Sequence, residues 1–149
     1  MNYSDQYKKA HIDEPANKIL ASEVNGKLRR AYGEITLGAE LSNEDKIKFC
    51  RIPRSATLID VRVVSADWGS TGEFDLGWQD SDGKSEEVSA DGIIDGQDAT
   101  SAFDGNMPGT ADGYNKRFEK EVDIVMEAKA DSTALDGEKI SVEVFFVVE

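Results

Sequence analysis

Few side chains in this sequence could do chemistry. There is one histidine, His11, and one cysteine, Cys50. Ser-His or Cys-His nucleophilic catalysis needs an imidazole held against its nucleophile, and His11 lies in a polar terminal stretch where a packed active site is hard to build. A single cysteine forms neither an internal disulfide nor a thiolate zinc cluster. Cys50 alternates with Phe49 and is most simply a small packing residue. Carboxylates are plentiful at thirty, so pairs for glycoside hydrolysis always exist, but nothing marks any pair as buried or raised in pKa. The nearest approach to a calcium loop is Asp80-Ser81-Asp82-Gly83, followed by Glu86 and Glu87, with Asp91, Asp95 and Asp98 close by. An EF-hand loop needs its glycine at position six and a glutamate at position twelve. Here Gly83 comes two residues early and Asp91 takes the closing place, which favours a solvated acidic turn. Trp68, Trp78 and Tyr114 could line a sugar-binding surface. Trp78 is in phase with Phe74 and Leu76 and reads as core, which leaves Trp68, in a turn, as the candidate exposed aromatic. No catalytic residue, metal or cofactor is expected.

The body that must position these residues is small. The chain has 149 residues, 39% hydrophobic and 32% charged, enough for one domain with one core. Its formal net charge is −13, against the basic face a free-standing nucleic-acid binder needs. The charge is also uneven. Residues 1–54 carry ten Lys or Arg and eight Asp or Glu, whereas residues 55–149 carry seven and twenty-two. Such a dipolar chain can dock its first third on an acidic surface while its body repels other copies. No apolar run reaches the 18 residues of a membrane span. The first ten residues lack an apolar core, so no secretory signal is expected and the chain is taken to act, or assemble, where it is made.

Residues 1–31 form the expected N-terminal arm. Ile12, Ile19, Leu20, Val24 and Leu28 are scattered among polar residues, with Pro15 and Gly26 as breakers. No long amphipathic stripe develops, so the arm must pack on its own body or reach a partner. Lys18, Lys27, Arg29 and Arg30 make a short basic patch where it joins the body. These nine residues are the candidate partner-binding set: the apolar ones for contact, the basic ones for guiding docking.

From Tyr32 the hydrophobic period becomes two. Alternation runs through 33–39, 46–52, 57–65, 74–78, 122–128 and 140–148, with Ile59, Val61 and Val63 expected on one face of the third segment. Turns are expected at Leu41–Asp45, Pro53–Ala56, Asp67–Gly72 and Leu135–Glu138. Six half-buried strands without intervening helices predict a mainly β, antiparallel β-sandwich over 32–149, jelly-roll-like in connectivity. The acidic, glycine-rich stretch 80–116 is too long for a structureless loop and predicts a short helix or strand around 91–104, anchored by Ile93, Ile94 and Phe103, or an elaborate contact loop. Phe145 and Val147, on the otherwise polar face of the last strand, need cover from the arm or a neighbouring subunit.

The segment Lys46-Ile-Lys-Phe-Cys-Arg-Ile-Pro53-Arg-Ser-Ala-Thr-Leu-Ile-Asp-Val-Arg-Val-Val64, then Gly72-Glu-Phe-Asp-Leu-Gly-Trp78 and Ala90-Asp-Gly-Ile-Ile-Asp-Gly96, resembles a group of small tailed-phage virion proteins over roughly 32–148. Several of these are similar to head decoration (cement) proteins. The resemblance implies a non-enzymatic protein on the capsid exterior, a homotrimer that clamps and stabilises the major capsid protein shell, with no nucleic-acid or membrane partner. It transfers no catalytic residue. A head–tail connector, a tail accessory protein or a carbohydrate-binding module using Trp68 and the 80–98 loop are the alternatives.

Overall fold

The computed structural model describes residues 27–107, 110 and 112–148. Eight strands make up the fold: β1 (Arg29–Thr36), β2 (Lys46–Ile52), β3 (Ala56–Ser65), β4 (Glu73–Asp80), β5 (Ser89–Asp98), β6 (Phe103–Met107), β7 (Val122–Ala128) and β8 (Lys139–Val148). Val, Ile and Phe at alternate positions suit a pleated surface with one buried face, and β8 follows this rule through buried Ile140, Val142, Val144 and Phe146. The strands form two antiparallel sheets, in the orders β1-β8-β3-β6 and β2-β7-β4-β5. Each strand pairs with its counterpart from the other end of the chain: β1 with β8, β2 with β7, β3 with β6 and β4 with β5. The chain is therefore one long hairpin, tipped by β4 and β5 and folded over on itself. This is the jelly-roll-like sandwich expected from the sequence.

The inner faces of the two sheets meet in a core that includes Leu58, Val61, Phe74, Leu76, Ile93, Ile124, Met126 and Phe118. Burying each such large apolar side chain contributes about 1.5–3 kcal/mol against leaving it in water. The four expected turns are present, closed by backbone bonds from Asp45 to Ser42, Ala56 to Pro53, Gly72 to Gly69 and Glu138 to Leu135. On one side of the sandwich β1 and β2 touch. Gly33 lies so close to β2 that a Cβ there would stand 2.1 Å from the Phe49 carbonyl oxygen. Gly77 plays the same part between β4 and β5, where a Cβ would stand 1.8 Å from the Ser89 carbonyl oxygen.

Four details depart from the sequence expectation. The first strand opens at Arg29 and ends at Thr36, earlier at both ends than the alternation over 33–39 suggests. The register between β3 and β8 shifts between Leu58 and Asp60, so Leu58 points inward and Ile59 outward. Ile59 is thus not on the face of Val61 and Val63: the bulge adds one residue and reverses the phase. The stretch 80–116 holds two strands, β5 and β6, with Ile93 and Ile94 buried and Phe103 packed against the core. Finally, β4 has no wet face. It lies between β7 and β5, and Asp75 and Gly77 are buried along with Phe74 and Leu76. Of the last strand's outward pair, Val147 is buried and Phe145 half-buried.

Candidate interaction surface

Trp68 is fully buried, which overturns its reading as an exposed aromatic. Its ring stacks on Phe74 at 5.3 Å and its Nε1–H donates to Ser65 Oγ at 2.7 Å. The backbone of the turn is exposed while its largest side chain turns into the core, and the Ser65 hydroxyl satisfies the buried indole N–H. A sugar platform built on Trp68 is therefore removed. Trp78 is buried as expected, edge-on to Phe118. Tyr114 is exposed.

The acidic loop after β4 is tied down by its own carboxylates. Asp80 is 1% exposed and accepts from the backbone N–H groups of Glu86 at 2.5 Å and Glu87 at 2.8 Å. Glu87 in turn accepts from the backbone N–H groups of Glu119 at 2.9 Å and Lys120 at 3.1 Å, and pairs with Lys116 Nζ at 2.8 Å. Lys120 pairs with Glu86 and lies 3.7 Å from Asp82. These oxygens latch the 81–88 loop to the 116–121 segment. Among the described residues no cluster of three or more His, Cys, Asp or Glu side chains is placed to hold a metal ion. Cys50 is half-buried in the β2 edge, and burial pushes its thiol up to about 12, far from a reactive thiolate.

A second carboxylate joins two loops at the opposite end of the sandwich. Glu40 accepts from Ser132 Oγ at 2.5 Å and from the backbone N–H groups of Leu135 at 2.9 Å and Asp136 at 3.0 Å. These donors, the Ser132 hydroxyl first, hold Glu40 below the usual carboxylate range. Its role escapes sequence reading because the donors lie more than ninety residues away.

The outer face of the β1-β8-β3-β6 sheet is a ladder of cross-strand charge. Arg30 pairs with Glu143 at 3.0 Å and its guanidinium lies 4.7 Å above the Tyr32 ring. Tyr32 donates to Glu34 at 2.6 Å, Lys139 approaches Glu34 at 3.4 Å, and Arg62 pairs with Asp104 at 3.0 Å. The Tyr32 hydroxyl and then Lys139 hold Glu34 low, as Arg30 does Glu143 and Arg62 does Asp104. Between these pairs Tyr32, Ile59 and Val64 are exposed. The other sheet repeats the pattern, with β2 cations facing β7 acids. Arg51 and Lys48 both meet buried Asp123, at 2.8 and 3.4 Å. Burial pushes the Asp123 carboxyl up, but Arg51 and Lys48 together bring it below its ordinary value. Opposite-charge pairs across neighbouring strands contribute a few tenths of a kcal/mol up to about 1 kcal/mol each.

Of the nine residues of the candidate partner-binding set, Ile12, Lys18, Ile19, Leu20 and Val24 lie outside the described residues. The other four converge where β1 begins. Lys27, Leu28, Arg29 and Arg30 are all exposed, Leu28 at 62%. Arg29 and Arg30 belong to β1, opposite Phe146 and Phe145. Arg30 is drawn into the outer-face ladder, whereas Lys27 and Arg29 make no ion pair among the described residues.

This architecture has known counterparts. No protein-family model and no curated protein matches the chain. Among solved structures it is similar to a chain of the capsid of Ralstonia phage GP4, with a TM-score of 0.71 and 14% identity, over 83% of this chain and 86% of that one. It is also similar to a chain of the cyanophage Pam1 capsid asymmetric unit, with a TM-score of 0.60 and 17% identity, over 93% of this chain and 99% of that one. The fold is shared. At these identities the likeness extends to the backbone arrangement and not to individual side chains.

Proposed function

We propose that this chain is a non-enzymatic structural protein of a tailed-phage virion, and within it a head decoration (cement) protein that binds the major capsid protein shell from outside. The observation that carries this reading is the fold likeness to a chain of the Ralstonia phage GP4 capsid, which covers most of both chains. The surface is consistent with it. The titratable groups described above are spent on cross-strand pairs and loop closure rather than gathered in a cleft. A surface depression between Lys46, Trp78, Val88 and Glu127 has only about 30 Å³ of room, roughly one water.

A cement protein works by linkage. It binds the assembled shell and not the free capsid subunits, so its binding free energy is added to the stability of the shell. In this reading the chain acts as a homotrimer around a local three-fold axis. Ile12, Ile19, Leu20, Val24 and Leu28 supply apolar contact with the capsid or a neighbouring copy, and Lys18, Lys27, Arg29 and Arg30 orient the encounter. Quantitative mass spectrometry of purified virions tests the reading. Decoration requires copies on the order of hundreds per particle, in proportion to the shell protein, whereas a connector or tail part requires on the order of ten. A count in the lower range, or absence from the particle, refutes decoration.

A further inference from the structure

The strand register places three cations at one end of the β1-β8-β3-β6 sheet. Arg29 is opposite Phe146 on β8, and Phe146 is opposite Leu58 on β3. Arg54, in the β2–β3 turn, precedes Ala56, which pairs with Val148 two residues further along β8. Lys27, two residues before Arg29, reaches the same level. Arg29 shares the inward parity of Ala31, Gly33 and Ile35 yet is exposed. Lys27, Arg29 and Arg54 make no ion pair among the described residues, although Arg30, Arg51 and Arg62 nearby all do. Exposed Leu28 lies among them.

Unpaired carboxylates lie at the far end of the sandwich. The β1–β2 loop and the β7–β8 loop meet there, tied by backbone bonds from Leu37 to Glu138 and from Gly137 to Leu37. Asp136 and Glu138 are exposed there, and their carboxylates have no partner among the described residues. The ten-residue span of β8 separates the two ends by about 33 Å. Cations cannot reach these carboxylates within one molecule. They can reach them between two.

We infer that the Lys27–Arg29–Arg54 corner docks on the acidic 136–138 end of a second copy of this chain, in a head-to-tail contact. Such a contact is heterologous and closes into a ring when the rotation between copies permits. Nucleic acid is a poorer fit, because a chain of net charge −13 repels a phosphate backbone from so small a patch. A second copy carries the complementary charge at a fixed place. The inference rests on the self-association proposed above and names the residues that would carry it.

Charge reversal tests it with the full-length chain, by sedimentation velocity at matched concentrations. Arg29→Glu with Arg54→Glu is expected to weaken self-association at least about tenfold, and Asp136→Lys with Glu138→Lys to do the same. The quadruple variant carrying both reversals is expected to regain it, which a merely misfolded or destabilised pair variant would not. Circular dichroism confirms that each variant is folded; should a reversal fail to fold, Arg29→Gln with Arg54→Gln replaces it. Wild-type assemblies that persist unchanged in both pair variants refute this contact and leave self-association standing. A wild-type chain that stays monomeric throughout refutes both.

Discussion

Removing the Trp68 indole takes away the ring that stacks on Phe74 and leaves Ser65 Oγ without its donor. Trp68→Ala is expected to cost about 3–5 kcal/mol, read as a lowered urea midpoint, because a large aromatic leaves a cavity that the sandwich fills only in part. Trp68→Phe keeps the stack and loses the hydrogen bond, and is expected to cost clearly less. An unchanged midpoint in the alanine variant would mean that the ring is not core. At the same end of the sandwich, Glu40 gives a prediction in pH. Its carboxyl is lowered in the folded chain by Ser132 and by the backbone N–H groups of Leu135 and Asp136. Such a group stabilises the fold above its unfolded value, about 4.3, and loses that contribution as pH falls through the folded value. Glu40→Gln is therefore expected to lower Tm at pH 7, with the two proteins converging as pH approaches 3. A gap of constant size across that range would contradict the assignment.

The strands show which elements a sequence reveals and which it hides. Where buried positions alternate with exposed or half-buried ones, as in β2 and β8, alternation marks the strand directly. β5 and β6 are hidden because their glycines and aspartates depress strand propensity, and their place at a sheet edge leaves few apolar positions to repeat. The bulge in β3 hides the orientation of Ile59, since one added residue reverses the phase. The sequence signal is also silent on loops closed over long separations, such as Glu40 with Ser132 or Glu87 with Lys120. Two glycines carry an element-scale prediction. Gly33→Ala drives a methyl into the β2 backbone at Phe49 and is expected to cost about 1–3 kcal/mol or more, with faster hydrogen exchange along β1. Gly38→Ala, where nothing lies within 4 Å of the new methyl, is expected to leave stability nearly unchanged. Equal losses at both positions would mean that the β1–β2 approach is not what makes Gly33 necessary.

At the scale of the whole molecule, the sandwich carries paired charges on both outer faces, and Lys27, Arg29 and Arg54 at one end and Asp136 and Glu138 at the other have no ion-pair partner among the described residues. One of those ends is where residues 1–26 join the body. If the apolar residues of that segment supply the capsid contact, a chain beginning at residue 27 is expected to keep its urea midpoint within about 0.5 kcal/mol of stability, the usual scale for changes away from the core, and to bind shells at least about tenfold more weakly. Full binding by the shortened chain would move the contact onto the sandwich itself. The reading as a cement protein stands or falls on the shell. The direct measurement is the disruption temperature of shells of the phage that encodes the chain, prepared without it and then titrated with purified full-length protein. A saturable rise in that temperature, reached at a fixed ratio of this chain to shell subunit, is the expected result. Shells that bind no protein, or bind it with no change in disruption temperature, would contradict the account.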